Sequence, residues 1–456
     1  MALIETNGFS TGRLIDAFQR RLKNWKTNKH SPTQRMAGAA FAIRVASAAI
    51  MFVSQVLLAR WMGGYEFGTY VYVWTWLLLI GDFVHFGVPL TAQRYVPEYT
   101  QNRASDLLRG YLTGSRWITF AAGTAAAIAG AIAVHMIGLS LDREVVLPFY
   151  FACVALPFYT FTFMIDGLAR SYNWINLALL PPYIVRPLML IAVVTVLHVA
   201  GVELDAATVM GVLAAVIWLA GLIQLVQLEW ALKQAVPGGT KTYRIREWLG
   251  TSLPVFLVWS MYTLLTSTDV LVLKMFRPAQ EVAHYYAAAK TLALVSIIYF
   301  AVAAAAAHRF TAYHVAGDRK GLVDFAAATV RWIFWPSLAL TLLMLALGKP
   351  VLGLFGADFV AGYPVLAILA VGQLARAAIG PAERLLNMLD QQRICAFAYA
   401  AAFTVNIVGC VILAPAYGGV GAAAATATAF IVESALLFLI ARRRLKLHMF
   451  IWATRA

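Results

Sequence analysis

Four basic side chains, Arg44, Arg186, Lys290 and Arg376, fall deep inside stretches otherwise built for hydrocarbon. The plainest case is "AAFAIRVASAAIMFVSQVLL", Ala39 to Leu58, with Arg44 about a third of the way in. A guanidinium at mid-helix in a bilayer costs roughly 2.5–3.5 kcal/mol on insertion scales, so each such residue needs a compensating role. Two roles fit. The cation can lock helices together by pairing with Asp82, Asp166, Asp269, Glu383 or Glu433, or it can line a wet cavity and attract an anion. One residue from each of four stretches suits a converging site, and the planar fork of arginine can grip two phosphate oxygens at once. A carrier of organic cations would instead need acids at its centre, so the expected cargo is negatively charged. Asp269, Glu383 and Glu433 are candidates for coupling to protons or sodium, with pairing to a nearby Arg or Lys as the alternative.

Two further arginines, Arg116 and Arg331, lie within a turn or two of the expected inner surface and are read as snorkelling anchors. Nothing in the chain has the spacing of a catalytic site. There is no GxxxxGK[ST] phosphate loop, no HExxH and no GxSxG elbow. The eight histidines form no ligand spacing, and Cys153, Cys395 and Cys410 all lie in apolar segments. No metal, cofactor or disulfide framework is expected. The chain reads as one that moves a substrate and does not transform it.

The elements that must hold these charges are membrane helices. Hydrophobic residues make up 61% of the 456 and charged residues 12%, about half the charge of a soluble domain; mean hydropathy is +0.74. Apolar runs of about 20 residues, enough to cross roughly 30 Å of hydrocarbon, recur about twelve times. The reading is an all-α polytopic membrane protein of about 12 transmembrane helices. The net charge of +15 does not indicate nucleic acid, because the basic residues cluster in alternate loops. Arg60, Arg143, Lys274, Arg277 and Lys349 are the loop cations on one side; the rest gather on the other, which the positive-inside rule makes cytoplasmic, with both termini.

Residues 1–35 lack the apolar core of a signal peptide and read as a basic amphipathic segment suited to anionic lipids of the inner leaflet. A six-helix bundle is expected over 36–231, a cytoplasmic linker over 232–249, a second six-helix bundle over 250–441, and a basic tail over 442–456. An internal echo supports two halves. "LLARWMGGYEFGTYVYV" returns as "LVLKMFRPAQEVAHYYAAA", setting Arg60 against Lys274, Glu66 against Glu281 and Tyr70 against Tyr285. Halves of six spans enter from the same side, as in parallel-repeat transporters, with a cavity between them. In "LLPPYIVRPLML", Pro181, Pro182 and Pro187 surround Arg186 and are expected to break or kink that helix; Pro254, and further on Pro336, are other bending points.

The stretch "LLARWMGGYEFGTYVYVWTWLLLIGDFVHFGVPLTAQRYVPEY" resembles the opening of bacterial polysaccharide-export flippases of the multidrug/oligosaccharidyl-lipid/polysaccharide exporter superfamily. Arg60, Gly63, Glu66, Phe67, Gly68, Tyr70, Gly87 and Arg94 carry the likeness. "GPAERLLNMLDQQR" and "LAPAYGGVGAAAATATAF" resemble the end of the second half. The resemblance implies a MATE-like fold and alternating access across a bacterial inner membrane. It implies a cargo of oligosaccharide repeat units linked to undecaprenyl diphosphate, for exopolysaccharide, capsule, O-antigen or lipopolysaccharide synthesis. A polysaccharide polymerase and co-polymerase would be partners. A MATE-like drug or metabolite antiporter is the alternative, and a membrane glycosyltransferase or polymerase acting on the same lipid carrier is the second.

Overall fold

The computed structural model describes residues 32–138, 143–389 and 391–452; the expected amphipathic N-terminal segment falls almost wholly outside them. The described residues are helical and contain no strand. Helices α1 (Pro32–Val84), α2 (Val88–Gln101), α3 (Ser105–Ile137), α4 (Arg143–Ser171), α5 (Ile175–Leu180), α6 (Arg186–Val199) and α7 (Ala206–Ala235) form the first half. The second half holds α8 (Ile245–Leu265), α9 (Thr268–Phe276), α10 (Ala279–Ala293), α11 (Ser296–Val315), α12 (Arg319–Ala346), α13 (Gly348–Gly353), α14 (Tyr363–Ile379), α15 (Ala382–Met388) and α16 (Gln392–Arg444).

Among the described residues, nine helical runs are long and apolar enough to cross a membrane, and a tenth is a pair bent by 47°. Two runs are of double length. The first, Ala42–Gln101, is broken at Gly63, whose φ of 78° and ψ of 169° no helix contains. The other, Ile394–Arg444, is broken at Gly418, at φ 58° and ψ −137°. Such a backbone is open to glycine and strained for other residues. Counting each double run as two spans is consistent with the expected twelve.

The expected spans are extended where polar ends protrude. The linker expected over 232–249 is helical at both ends, because α7 runs on to Ala235 and α8 begins at Ile245. Asp205 caps α7 by accepting from Thr208 N at 2.7 Å, and Asp318 caps α12 through Gly321 N at 2.8 Å, each satisfying an orphan donor.

The echo seen in the sequence acquires a physical meaning here. Glu66 Oε2 accepts from Ala206 N at 2.8 Å, at the start of α7. Glu281 Oε1 accepts from Gly419 N at 2.7 Å, where α16 resumes after its break. Each glutamate thus ties the second span of its half to the start of the last, with its negative charge at a helix N-terminus where the dipole favours it.

In the first half α4 is the hub, packed against α3, α7, α2 and α1; in the second, α16 lies against α14, α9 and α8. The halves meet chiefly along α1 and α10. Close approach there depends on Gly68, where a Cβ would stand 1.8 Å from the Ala279 carbonyl oxygen. On the linker side Tyr95 Oη lies 2.8 Å from Thr251 Oγ1, and Trp248 Nε1 donates to Tyr99 Oη at 3.0 Å. Apolar side chains such as Ile128, Ile132, Val196 and Val226 stay exposed on the rim, as helices bathed in lipid tails require.

The substitution Gly68→Ala is expected to force α1 and α10 apart, destabilising the protein by about 1–3 kcal/mol. Gly250 is the control, since a Cβ there meets nothing within 4 Å and alanine is the better helix former by about 1 kcal/mol. Thermal unfolding in detergent checks both: a lowered midpoint for Gly68→Ala and an unchanged or raised one for Gly250→Ala.

Candidate functional site

The four deep cations occupy different helices, and each lies over an aromatic ring. The Arg44 guanidinium carbon is 5.2 Å from the Tyr183 ring centroid, and that of Arg186 is 5.5 Å from Tyr159. Lys290 Nζ is 4.8 Å from Tyr286. Arg376 is 4.4 Å from Phe430 and 5.6 Å from Tyr262. A cation within about 6 Å of a ring face gains roughly 0.5–1 kcal/mol when exposed and about 2 when desolvated.

Arg376 differs from the other three. Its Nη2 lies 3.1 Å from Glu433 Oε1, and that carboxylate is almost wholly buried. Arg376 and Glu433 therefore form the helix-locking pair that the sequence offered as one alternative. For Arg44, Arg186 and Lys290 no carboxylate of the described residues lies within 4 Å. Arg44 and Lys290 remain exposed and Arg186 half-exposed.

Local sequence explains these positions. Prolines 181, 182 and 187 deprive the helix of three donors, and Pro181–Val185 winds as a π turn between α5 and α6. The Arg186 amide bonds back to the Pro181 carbonyl, so Arg186 stands immediately after the irregular turn, at the start of α6. Tyr183, within the same turn, reaches Arg44 on α1; Ile43 beside it packs with Ala178 and Leu179. Asp166 is within electrostatic reach of Arg44, but Arg170 holds both its oxygens, at 2.9 and 3.0 Å. Lys290 stands one helical turn after Tyr286 on α10, which sets the ammonium over the ring. Pro254 precedes a 47° bend between Ile245–Pro254 and Trp259–Phe276, whereas Pro336 lies inside an uninterrupted α12.

The acids proposed for ion coupling have separate surroundings. Asp269 is buried, with one oxygen bonded by Tyr285 Oη and at 3.2 Å from Thr426 Oγ1. Its other oxygen takes the Val270 amide at 2.8 Å. Asn406 Nδ2 donates to Thr426 at 3.0 Å, which leaves Asn406 Oδ1 buried with no partner. The oxygens of Asp269, Thr426 and Asn406 are hard donors of the sort that suit an alkali cation. Glu383 accepts from Asn387 on its own helix, at 3.2 Å, and Glu433 is the partner of Arg376. Among the described residues no three His, Cys, Asp or Glu gather as metal ligands. Arg116, read from the sequence as a snorkelling anchor, bonds Glu229 on α7.

Known structures share this arrangement of two bundles of apolar helices that meet along α1 and α10. An inward-facing multidrug resistance MATE transporter of the MOP superfamily superposes with a TM-score of 0.74 at 12% identity, covering 89% of this chain and 98% of the other. The lipid II flippase MurJ in an inward closed conformation gives 0.67 at 16% identity, over 88% and 87%. A MOP superfamily transporter from Pyrococcus furiosus Vc1 (DSM3638), whose binding pocket has reversed polarity, gives 0.66 at 13%, over 90% and 95%. No curated protein matches the chain. The family described as "Polysaccharide biosynthesis protein" matches residues 36–308, and the MatE family matches 254–412. The chain belongs to the polysaccharide biosynthesis protein family of multi-pass membrane proteins.

Removing Glu433 strands a buried guanidinium. Glu433→Ala is expected to cost about 3–5 kcal/mol, whereas replacing both partners by Arg376→Met with Glu433→Leu should restore most of it. Unfolding midpoints of the single and double variants in one detergent measure the difference.

Proposed function

We propose that this protein is a flippase that carries oligosaccharide repeat units linked to undecaprenyl diphosphate across the bacterial inner membrane for surface polysaccharide synthesis. The observation that carries the reading is the state of Arg44, Arg186 and Lys290. All three are accessible, none has a carboxylate of the described residues within 4 Å, and each is steadied by a tyrosine face. They come from α1, α6 and α10, hence from both halves. A diphosphate offers oxygens enough to engage several such groups, and arginine holds them in pairs. Sugars would pass through the wet cleft between 36–231 and 250–441 while the lipid tail stays in the bilayer.

The packing of α1 against α10 at Gly68 would be the outer seal in this state, with the cargo drawn from the cytoplasmic leaflet. Alternating access would break that contact and close the inner side. Asp269, with Thr426 and Asn406, would couple the cycle by taking a proton or a sodium ion. Glu383 stands aside from that cluster, and Glu433 is committed to Arg376. A polymerase and co-polymerase would receive the repeat units on the outer face, and the basic residues of 1–35 would hold anionic lipids on the inner one.

Alanine at Arg44, Arg186 or Lys290 is expected to reduce surface polysaccharide at least about tenfold, the loss of one charge-assisted contact, while membrane levels of the protein stay normal. Complementation of a deletion strain, scored by polysaccharide staining and immunoblot, tests this. Export that survives the triple substitution would refute the cationic site, and a deletion strain altered only in drug sensitivity would point to an antiporter. In proteoliposomes, Asp269→Asn should abolish any dependence of lipid translocation on a proton or sodium gradient; an unchanged dependence would remove Asp269 from the coupling role.

A further inference from the structure

Away from the seam between the halves, α3, α4 and α7 enclose a cavity of about 270 Å³ on the outer flank of the first half. Phe120, Phe158, Phe161 and Leu225 make its walls. Its one ionic feature is the pair between Arg116 and Glu229. The two partners are unequal, since the Arg116 side chain is 15% exposed and that of Glu229 45%. The Arg116 Nε donates to the Leu112 carbonyl at 2.6 Å and Nη1 to Glu229 Oε1. Among the described residues, Nη2 of Arg116 and Oε2 of Glu229 thus remain for a further partner.

Helix lengths fix the depth of this feature. The helices α3 and α7 have 33 and 30 residues, about 50 and 45 Å at 1.5 Å per residue, against roughly 30 Å of hydrocarbon. Counted about 20 residues from the ends remote from the linker, the acyl region stops near Trp117 in α3 and near Val226 in α7. Both counts reach the level of the ion pair independently. Trp117 and Trp230, 67% and 68% exposed, stand at that level, where tryptophan favours the headgroup boundary.

We infer that this cavity binds a phospholipid of the linker-side leaflet whose headgroup is zwitterionic and carries a primary ammonium. The phosphate would sit on Nη2 of Arg116, the ammonium on Oε2 of Glu229, and the upper part of an acyl chain against the phenylalanines. Charge decides the class. A lipid with a lone negative charge would bring that charge beside Glu229, whereas a zwitterion meets both members of the pair with the complementary sign. A quaternary ammonium has no N–H to give the carboxylate. The site is independent of the cargo and of which side of the membrane is cytoplasmic.

The test is native mass spectrometry of the whole detergent-solubilised protein with phosphatidylethanolamine, phosphatidylcholine or phosphatidylglycerol added singly. Phosphatidylethanolamine should be retained at least about fivefold over the other two. Glu229→Gln, which keeps the size of the side chain, should lower its retention about tenfold, the loss expected for one charge-assisted hydrogen bond. Thr113→Phe, which fills the cavity from α3 and leaves the ion pair intact, should do the same. Equal retention of the three lipids by the unaltered protein, or undiminished phosphatidylethanolamine on either variant, would overturn the assignment.

Discussion

A positive charge inside hydrocarbon must be compensated, and how it is compensated decides what it can still do. A carboxylate at 3 Å cancels the charge and occupies its donors; the face of a ring attracts the charge and leaves the donors open. This chain uses both devices, and combines them at Arg376, which meets Glu433 and two rings. Arg376 with Glu433 and Arg116 with Glu229 are paired between helices, and Arg170 with Asp166 is paired along α4. Arg44, Arg186 and Lys290 rest on Tyr183, Tyr159 and Tyr286 and keep their donors. The rest of the architecture follows from that division. The irregular turn at Pro181–Val185 brings Tyr183 to Arg44 and gives Arg186 its direction, and the small residues of the seam let the two halves approach near these groups.

The two halves also share a method of construction. Glu66 and Glu281 each reach the first free amides of the last span in their own half. A carboxylate suits this place because the amides there have no partner within the helix, and lipid supplies none. Tyr70 and Tyr285, four residues on, are both buried, but only Tyr285 has an acid to bond, Asp269. Of these two equivalent tyrosines, the one bonded to an acid stands in the second half, beside the candidate coupling group.

Much of this was legible in the chain and some was not, for identifiable reasons. Hydropathy and the run of loop charges disclose helical spans because lipid imposes one length and one polarity on each. The proline cluster around Arg186 announces an irregular turn because no other residue removes a donor and fixes φ together. Tyr286 and Lys290 lie four apart on one helix and could have been paired by inspection. By contrast, Arg44 meets Tyr183 and Arg116 meets Glu229 through tertiary packing, which no local spacing encodes. The choice of Glu433 from five candidate acids was equally invisible, since only the crossing of α14 and α16 brings it to Arg376.

The connection between the halves is less of a tether than its glycines and polar residues suggest. Arg109 Nε donates to the Thr240 carbonyl at 2.7 Å, Thr242 Oγ1 lies 2.9 Å from Asp106 Oδ2, and a Cβ on Gly110 would strike the Thr242 carbonyl oxygen. The segment is stitched to the head of α3 and travels with the first half as one body. Any rocking of the second half must then be absorbed further along, at the 47° bend beyond Pro254. A pivot at that bend would lie within the apolar spans, where its stiffness would be set by helix packing and lipid, and not by the length of a loop.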